Sequence, residues 1–547
     1  MLIREADFRT QFYDVVRGKH AVLVVGNDVD ALNTACILMH LFSCDDTAFS
    51  VVPVSTWTSL DKILNDHGSS GSSNIILINC GGSRHLGELG LPINTTIFVI
   101  DSRRPFHIDN VYDDDQIRVL CFGREVDEEL QIPAFDQVYR EESDEDEEDV
   151  EKKALKNEMR RRWERIKKDV LWEYNEKSWI SIPSSFIALG VASEVSRASS
   201  EVVWLAEVAL SSQFTQGIIS IDGYTQSCLQ YLQPYTTKFA PKGGTRADDL
   251  LRVKFDKELP LALYHHWSLY QAMKVNEYFA CKTKNWNQKG DSEMKHLLAA
   301  IGLTLQECNQ KFTAMTTERR SEVTALLEKE MGCKFASFFI HLGYSEKVSA
   351  CDVARALSTW LGGPTVNSCD MKESSNLASQ MTLDDRFLMC RTFMSSFLNG
   401  NVNTNLLHKM IIAAKIIPNG HFYLYSSNRP RDVCLSGPHS LFTFSRFLAS
   451  AFSSMRRGRS AKPLVVSFPY HEMEGWHLIV GIMPLATDYS ADDNKLKSFM
   501  GRAFEKISER PRIEIKRDFF DPNMVLVKSE DRGRFFDALQ TILETVN

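Results

Sequence analysis

The chain has 547 residues, which at about 150 residues per domain predicts two to four compact units and excludes a mini-domain held together by disulfides or a metal. Hydrophobic residues make up 44% and charged residues 24%, the balance of a folded globular protein, so disorder is expected only locally. The formal net charge is −8, but Glu141–Asp149 contains eight acids and leaves the rest of the chain neutral, so a nucleic-acid surface is possible only as a local patch.

The first residues, Leu2-Ile3-Arg4-Glu5-Ala6-Asp7, lack the apolar core of a signal peptide, and no apolar run approaches the roughly 18 residues of a membrane span. Twelve cysteines are scattered without a C-x-x-C pair, so zinc and redox motifs are unsupported and a reducing intracellular compartment is expected. From residue 20 to 121, short β-branched runs alternate with helical patterns. Ala21–Val25, Phe49–Val54, Asn74–Ile78, Thr96–Ile100 and Ile117–Cys121 read as strands, and Ala31–Phe42 reads as a helix. Continuous apolar strands separated by helices predict a mainly parallel sheet covered on both faces, with ligands at its carboxyl edge.

The acidic run breaks this pattern, because eight charges in nine positions leave nothing to bury; a solvated linker is expected. A helix is predicted from about Glu151 to Lys177, with the stripe Leu155, Met159, Trp163, Ile166, Val170, Tyr174 and a strongly basic outer surface. From Ser184 to about Ile416 helical periodicity dominates, in segments such as Glu201–Gln213, Pro260–Phe279, Ser292–Ile301 and Glu318–Met331. After His421 the mixed style returns: strands at Phe422–Tyr425, Leu464–Phe468, Leu478–Ile482 and Met524–Val527, and helices at His439–Met455, Asn494–Arg510 and from Asp531.

Asp28 and Asp30 follow the first strand and Asp101 follows the fourth, so all three lie at the carboxyl edge of the sheet. Carboxylates converging there can hold Mg²⁺ or Mn²⁺ and activate water for phosphate-ester hydrolysis. The alternative is structural: one aspartate caps the following helix, and Asp101 opens a turn.

Val24-Val25-Gly26-Asn27-Asp28-Val29-Asp30, Ile78-Asn79-Cys80-Gly81 and Val99-Ile100-Asp101-Ser102-Arg103-Arg104-Pro105 resemble the first three motifs of the DHH phosphoesterases, the superfamily of the RecJ nuclease. The resemblance implies a vestigial site of Asp28, Asp30, Asn79, Asp101, Ser102 and Arg103. In active members the first motif carries a further acidic residue or histidine where Gly26 stands, the second has Asp where Asn79 stands, and the third reads Asp-His-His where Ser102-Arg103 follow Asp101. Those departures imply no catalytic residues, no metal and no cofactor. They leave Arg103 and Arg104 as candidate contacts for the backbone of single-stranded DNA; the competing reading is that Arg103 forms a salt bridge with Asp28 or Asp30 and closes the old metal site.

Over nearly the whole chain the sequence is similar to a degenerate eukaryotic branch of that superfamily. Beyond the three motifs, the similarity rests on Asn110-Val111-Tyr112, the acidic insertion, the basic helix, Tyr264-His265-His266-Trp267-Ser268-Leu269 and Gly501-Arg502-Ala503-Phe504-Glu505-Lys506. The implied function is that of a non-catalytic nuclear factor for replication initiation and fork progression. Its implied partners are the MCM ring, the GINS complex, origin-loading factors and, weakly, single-stranded DNA. An active metal-dependent single-strand nuclease or phosphodiesterase is the alternative.

The expected organisation is an α/β fold: a DHH-like parallel-sheet domain (1–139), an acidic linker (140–150) and the basic helix with helices completing that domain (151–230). A helical interaction region (231–416) and a smaller α/β domain resembling the DHH-associated domain (417–547) follow.

The remaining motifs carry less. His471 and His477 are six apart, too far for the helical pair of a zincin, and no phosphate-cradling G-x-x-x-x-G-K-[ST] occurs. Tyr264-His265-His266-Trp267 reads as part of an apolar helix in which a histidine packs. Both the basic helix and the loop Arg456-Arg457-Gly458-Arg459 with Lys462 are either phosphate-tracking or merely solvated surfaces.

Overall fold

The structure is a computed structural model that describes residues 1–68, 74–90, 92, 94–128, 130–140, 150–239, 251–285, 287, 289–342, 346–362, 382–399, 437–455, 462–470, 472–483 and 497–546. The acidic run 141–149, the strand expected at Phe422–Tyr425, the arginine loop 456–459 and His471 lie outside the described residues.

Six strands form the N-terminal sheet: β1 (Leu2–Ile3), β2 (Ala21–Gly26), β3 (Phe49–Val54), β4 (Asn74–Ile78), β5 (Thr96–Ile100) and, beyond a two-residue strand β6 (Arg103–Arg104), β7 (Ile117–Leu120). Their order is β1-β7-β5-β4-β2-β3, and every pairing is parallel. Alternation along each strand sends residues to opposite faces. Leu23, Val25, Ile76, Ile78 and Phe98 join one core, under the helices Val29–Cys44, Ser184–Glu194 and Ser200–Thr215. Val22, Val24, Ile75, Leu77 and Val99 join the other, with Leu60 and Leu64 of the helix Trp57–Gly68. Both faces are thus covered, as the continuous apolar strands predict.

The basic helix spans Val150–Asn175 and is followed by β8 (Trp179–Ile180), which pairs antiparallel with β6. The region expected to be helical also contains an antiparallel sheet of β9 (Leu251–Glu258), β10 (Phe335–Leu342) and β11 (Glu346–Ser349) in the order β11-β10-β9. The charged alternation Arg252-Val253-Lys254-Phe255-Asp256 of β9 is a period-two signal hidden among lysines and acids. The predicted helix Pro260–Phe279 is also broken. Tyr264-His265-His266-Trp267 forms a turn region after Leu263, which has φ +53°, and two short helices follow, Leu269–Val275 and Glu277–Thr283. Asn276 separates them because its side chain accepts from the amides of Tyr278 and Phe279, capping the second.

The C-terminal sheet joins β12 (Leu464–Pro469), β13 (Trp476–Ile482), β14 (Ile515–Lys516) and β15 (Met524–Lys528) in the antiparallel order β12-β13-β15-β14. Leu478, Val480 and Leu526 pack toward the helix Pro438–Met455, which contributes Leu441. Ile479, Val525 and Val527 pack toward the helices Met500–Ser508 and Arg532–Val546. This domain is tied to the first by backbone bridges Thr56–Phe519 and Ser178–Ser498 and by Trp57, whose indole NH donates to the Phe519 carbonyl at 3.0 Å.

Candidate functional site

In the strand order, β2 lies between β4 and β3, so the chain leaves β2 in one direction and returns on its other side. The crevice at the carboxyl ends of β2 and β4 is the topological switch point, where open α/β sheets place ligands. Asp28 and Asp30 follow β2, Asn79 follows β4, and Asp101, Ser102 and Arg103 follow β5; the structure brings all six together there.

Asn79 is the centre of the arrangement. It has φ +51°, a left-handed conformation that asparagine tolerates better than most residues, and it is 1% exposed. Its amide nitrogen donates to Asp28 Oδ1 and to Asp30 Oδ2, both at 3.0 Å. Its Oδ1 accepts from the Ser102 amide at 3.0 Å, the Ser102 hydroxyl at 3.2 Å and the Ser184 hydroxyl at 2.6 Å. Gly26 permits this closeness: a Cβ there would lie 2.7 Å from the Asn79 carbonyl oxygen.

Asp28 caps the helix Val29–Cys44, with Oδ1 accepting from the Ala31 amide at 2.7 Å, so the structural alternative read from its position is realised. Asp30 is buried against the start of the helix Ser184–Glu194, accepting from the Ser184 amide at 2.8 Å and the Ser185 amide at 3.0 Å. Burial first, and then the charge of Asp28, raise its pKa to about 6 against the pull of these hydrogen bonds. Asp101, 1% exposed, accepts from the amides of Gly82 and Arg103 at 3.1 and 2.9 Å, and burial raises its pKa despite the nearby Arg103.

The Arg103 guanidinium donates to the Asn79 carbonyl at 2.6 Å, lies 3.3 Å from Asp28 Oδ2 and sits 3.7 Å from Asp101 Oδ1. Burial works to discharge it, but Asp28, Asp101 and Asp521 outweigh burial and hold its pKa above the ordinary value. Arg103 therefore fills the space between the carboxylates. Arg104, read from the sequence as a DNA contact, turns the other way: its side chain is fully buried, pairs with Glu125 at 2.6 Å and stacks on Phe106 at 3.9 Å. A buried guanidinium matched to a buried carboxylate offers no charge to a phosphate.

Arg103 also lines a crevice of about 70 Å³ between the first and last domains, with Trp179, Ser498 and Asn523. Among the described residues no group of three or more histidine, cysteine, aspartate or glutamate side chains is arranged to hold a metal ion. Sequence reasoning missed Ser184 and Ser185, which reach Asp30 across more than 150 positions. Only the small polar pair opening an apolar helix hinted at them.

A family model described as CDC45 matches residues 21–159, 136–417 and 408–542. The chain is 29% identical to the cell division control protein 45 homolog of Homo sapiens over 98% of this chain and 99% of that protein. It is 25% identical to the homolog of Schizosaccharomyces pombe over 66% of each. The crystal structure of CDC45 from Entamoeba histolytica superposes with a TM-score of 0.66 and 20% identity, covering 99% of both chains, so the two share a fold.

Proposed function

The chain belongs to the CDC45 family, a family of DNA replication factors, and from that premise we propose that it acts without catalysis, as a nuclear subunit joining the MCM ring and the GINS complex in the replicative helicase. Origin-loading factors recruit it, and it binds single-stranded DNA weakly.

The observation that carries the non-catalytic reading is the tie of Asn79 and Arg103 to the three aspartates. A hydrolytic two-metal centre needs carboxylate oxygens with their lone pairs free for cations. Here the Asn79 amide occupies one oxygen of Asp28 and one of Asp30, and the Arg103 guanidinium stands between Asp28 and Asp101. A fixed positive charge in that position repels the metal it replaces. Gly26 cannot be exchanged for a ligand without pushing Asn79 out of place. The donor set therefore does not fit a divalent cation pair, and its consequence is a rigid joint between strand ends. The functional weight then falls on surfaces, which agrees with partner binding. Affinity capture of the tagged chain from nuclear extract tests the reading: MCM and GINS subunits are expected in the bound fraction, and their absence from a stable, folded preparation refutes it.

A further inference from the structure

The helix Val150–Asn175 faces the helix Met500–Ser508 across a groove of about 760 Å³, within the range of ligand sites, about 300–1,000 Å³. Helical spacing builds both walls. Lys167, Lys168 and Trp172 recur at steps of four or five on one side, with Trp163 one turn earlier. Arg502 and Lys506 are four apart on the other. The opposite side of the second helix holds Met500, Ala503, Phe504 and Ile507 in the C-terminal core, so its cationic side is fixed toward the groove.

The groove combines charge with aromatic faces. Lys506 Nζ lies 3.7 Å and the Arg502 guanidinium 4.5 Å from the Trp172 ring centre, and Lys167 Nζ lies 5.2 Å from that of Trp163. Arg502 is paired with Glu505, and Glu164 is held by Arg160 at 2.9 Å. Among the described residues Lys167, Lys168 and Lys506 have no carboxylate partner, and Glu509 at the rim is the remaining lining acid. Stacking platforms beside cations without carboxylate partners suit a polymer with one phosphate and one π-face per unit, because a lysine that leaves its ring for a phosphate opens that ring to a base. The crevice at Arg103 is the poorer host, because Asp28 and Asp101 already engage its cation.

We infer that single-stranded nucleic acid is held in this groove, with phosphates on Lys167, Lys168 and Lys506 and bases stacked on Trp172. The inference rests on the single-strand binding proposed above and assigns it a place. An acidic peptide would use the lysines but gain little from the indole.

The test is fluorescence anisotropy of a labelled oligo-dT with the full chain, titrated at several salt concentrations. The combined variant Lys167→Glu, Lys168→Glu, Lys506→Glu is expected to bind about tenfold or more weaker and to lose roughly 2 from the log–log salt slope, at about 0.7 per phosphate contact on a single strand. Trp172→Ala is expected to weaken binding about fivefold or more through lost stacking, with Trp172→Phe restoring most of it. Should Trp172→Ala unfold the chain, the lysine variant, altered only on exposed or half-buried surface, decides alone. If the unmodified chain binds no oligo-dT even at low salt, the single-strand reading itself fails. If it binds and the groove variants bind equally well while Arg103→Ala weakens binding, only the groove assignment fails. If polyglutamate displaces the oligonucleotide and Trp172→Ala changes nothing, the groove is a docking site for acidic protein and the inference is overturned.

Discussion

Replacing Asn79 by Asp, the residue that the resemblance to active DHH enzymes implies at this position, should damage the joint that Asn79 holds together. The two side chains have nearly the same shape, so no cavity forms and the effect is electrostatic. Two N–H donors directed at Asp28 and Asp30 become carboxylate oxygen. A hydrogen bond to a charged acceptor contributes about 1.5–3 kcal/mol, and leaving a buried charge without its partner costs about 3–5 kcal/mol. The bonds accepted by Asn79 Oδ1 from Ser102 and Ser184 survive, which sets the loss at about 3 kcal/mol. For a unit of 150–250 residues, at about 2–4 °C per kcal/mol, the melting temperature of the N-terminal domain falls by about 6–12 °C. Crowded with Asp28 and Asp30, the new carboxyl has a folded-state pKa above its unfolded value. Its penalty is therefore complete above the folded pKa and fades as pH drops toward the unfolded value of about 4. Thermal unfolding of Asn79→Asp and the parent chain at pH 7.5 and pH 5 measures both effects. A loss below about 2 °C at pH 7.5, or a loss that grows on acidification, refutes the reasoning.

Three further outcomes are expected. Glu207, fully buried with no hydrogen-bond partner for either carboxylate oxygen among the described residues, has its pKa raised well above the ordinary value by burial. Glu207→Gln should match the parent within a few degrees, worth about 1 kcal/mol, at a pH near the unfolded carboxyl value, and should gain on it as pH rises toward the raised folded value, because only the parent then releases a proton on unfolding; a variant that falls behind the parent as pH rises means that Glu207 is charged and paired. The purified chain should not degrade single-stranded DNA or small phosphodiesters with Mg²⁺ or Mn²⁺, and metal-dependent cleavage that vanishes in Asp101→Ala overturns that expectation. Deleting Glu141–Asp149 should leave thermal stability unchanged, since eight charges in nine residues have no apolar surface to bury; a fall of several degrees, on the order of 1 kcal/mol or more, contradicts it.

Periodicity and residue type carried much of the fold. The β2, β4 and β5 runs are apolar along their length because both faces of the sheet are covered, and that signal needs no knowledge of what covers them. Strand β9 shows the limit. Its lysines and acids alternate with Leu251, Val253 and Phe255, and a charged outer face weakens the contrast on which such reading depends. At the site, the positions of Asp28, Asp30, Asn79 and Asp101 were legible from the strands they follow. The direction of each side chain was not. Arg103 and Arg104 are neighbours in a short strand, so they point to opposite sides, one toward Asp28 and the other toward Glu125. The sequence offers both arginines as DNA contacts and Arg103 also as a partner of Asp28 or Asp30, but nothing in it points Arg104 to Glu125 and Phe106. Ser184 and Ser185 were invisible for a different reason: their contact with Asp30 depends on β8 pairing with β6 and aiming the next helix at the sheet edge.

The same geometry shows how several carboxylates share one sheet edge. Strand ends carrying several carboxylates repel one another unless something positive, or something donating hydrogen bonds, stands between them. In this chain that role is divided. Arg103 supplies the charge between Asp28 and Asp101, the Asn79 amide supplies donors to Asp28 and Asp30, and the amides opening the helix Ser184–Glu194 supply two more to Asp30. These ligands are covalently part of the chain and do not depend on cation supply, so the joint is permanent. They also link β2, β4, β5 and a helix more than 150 positions along the sequence. Single substitutions therefore unbalance the joint: Asn79→Asp puts a charge beside Asp28 and Asp30 in place of the donors it removes, and removing Arg103 leaves Asp101, 1% exposed, without its cation.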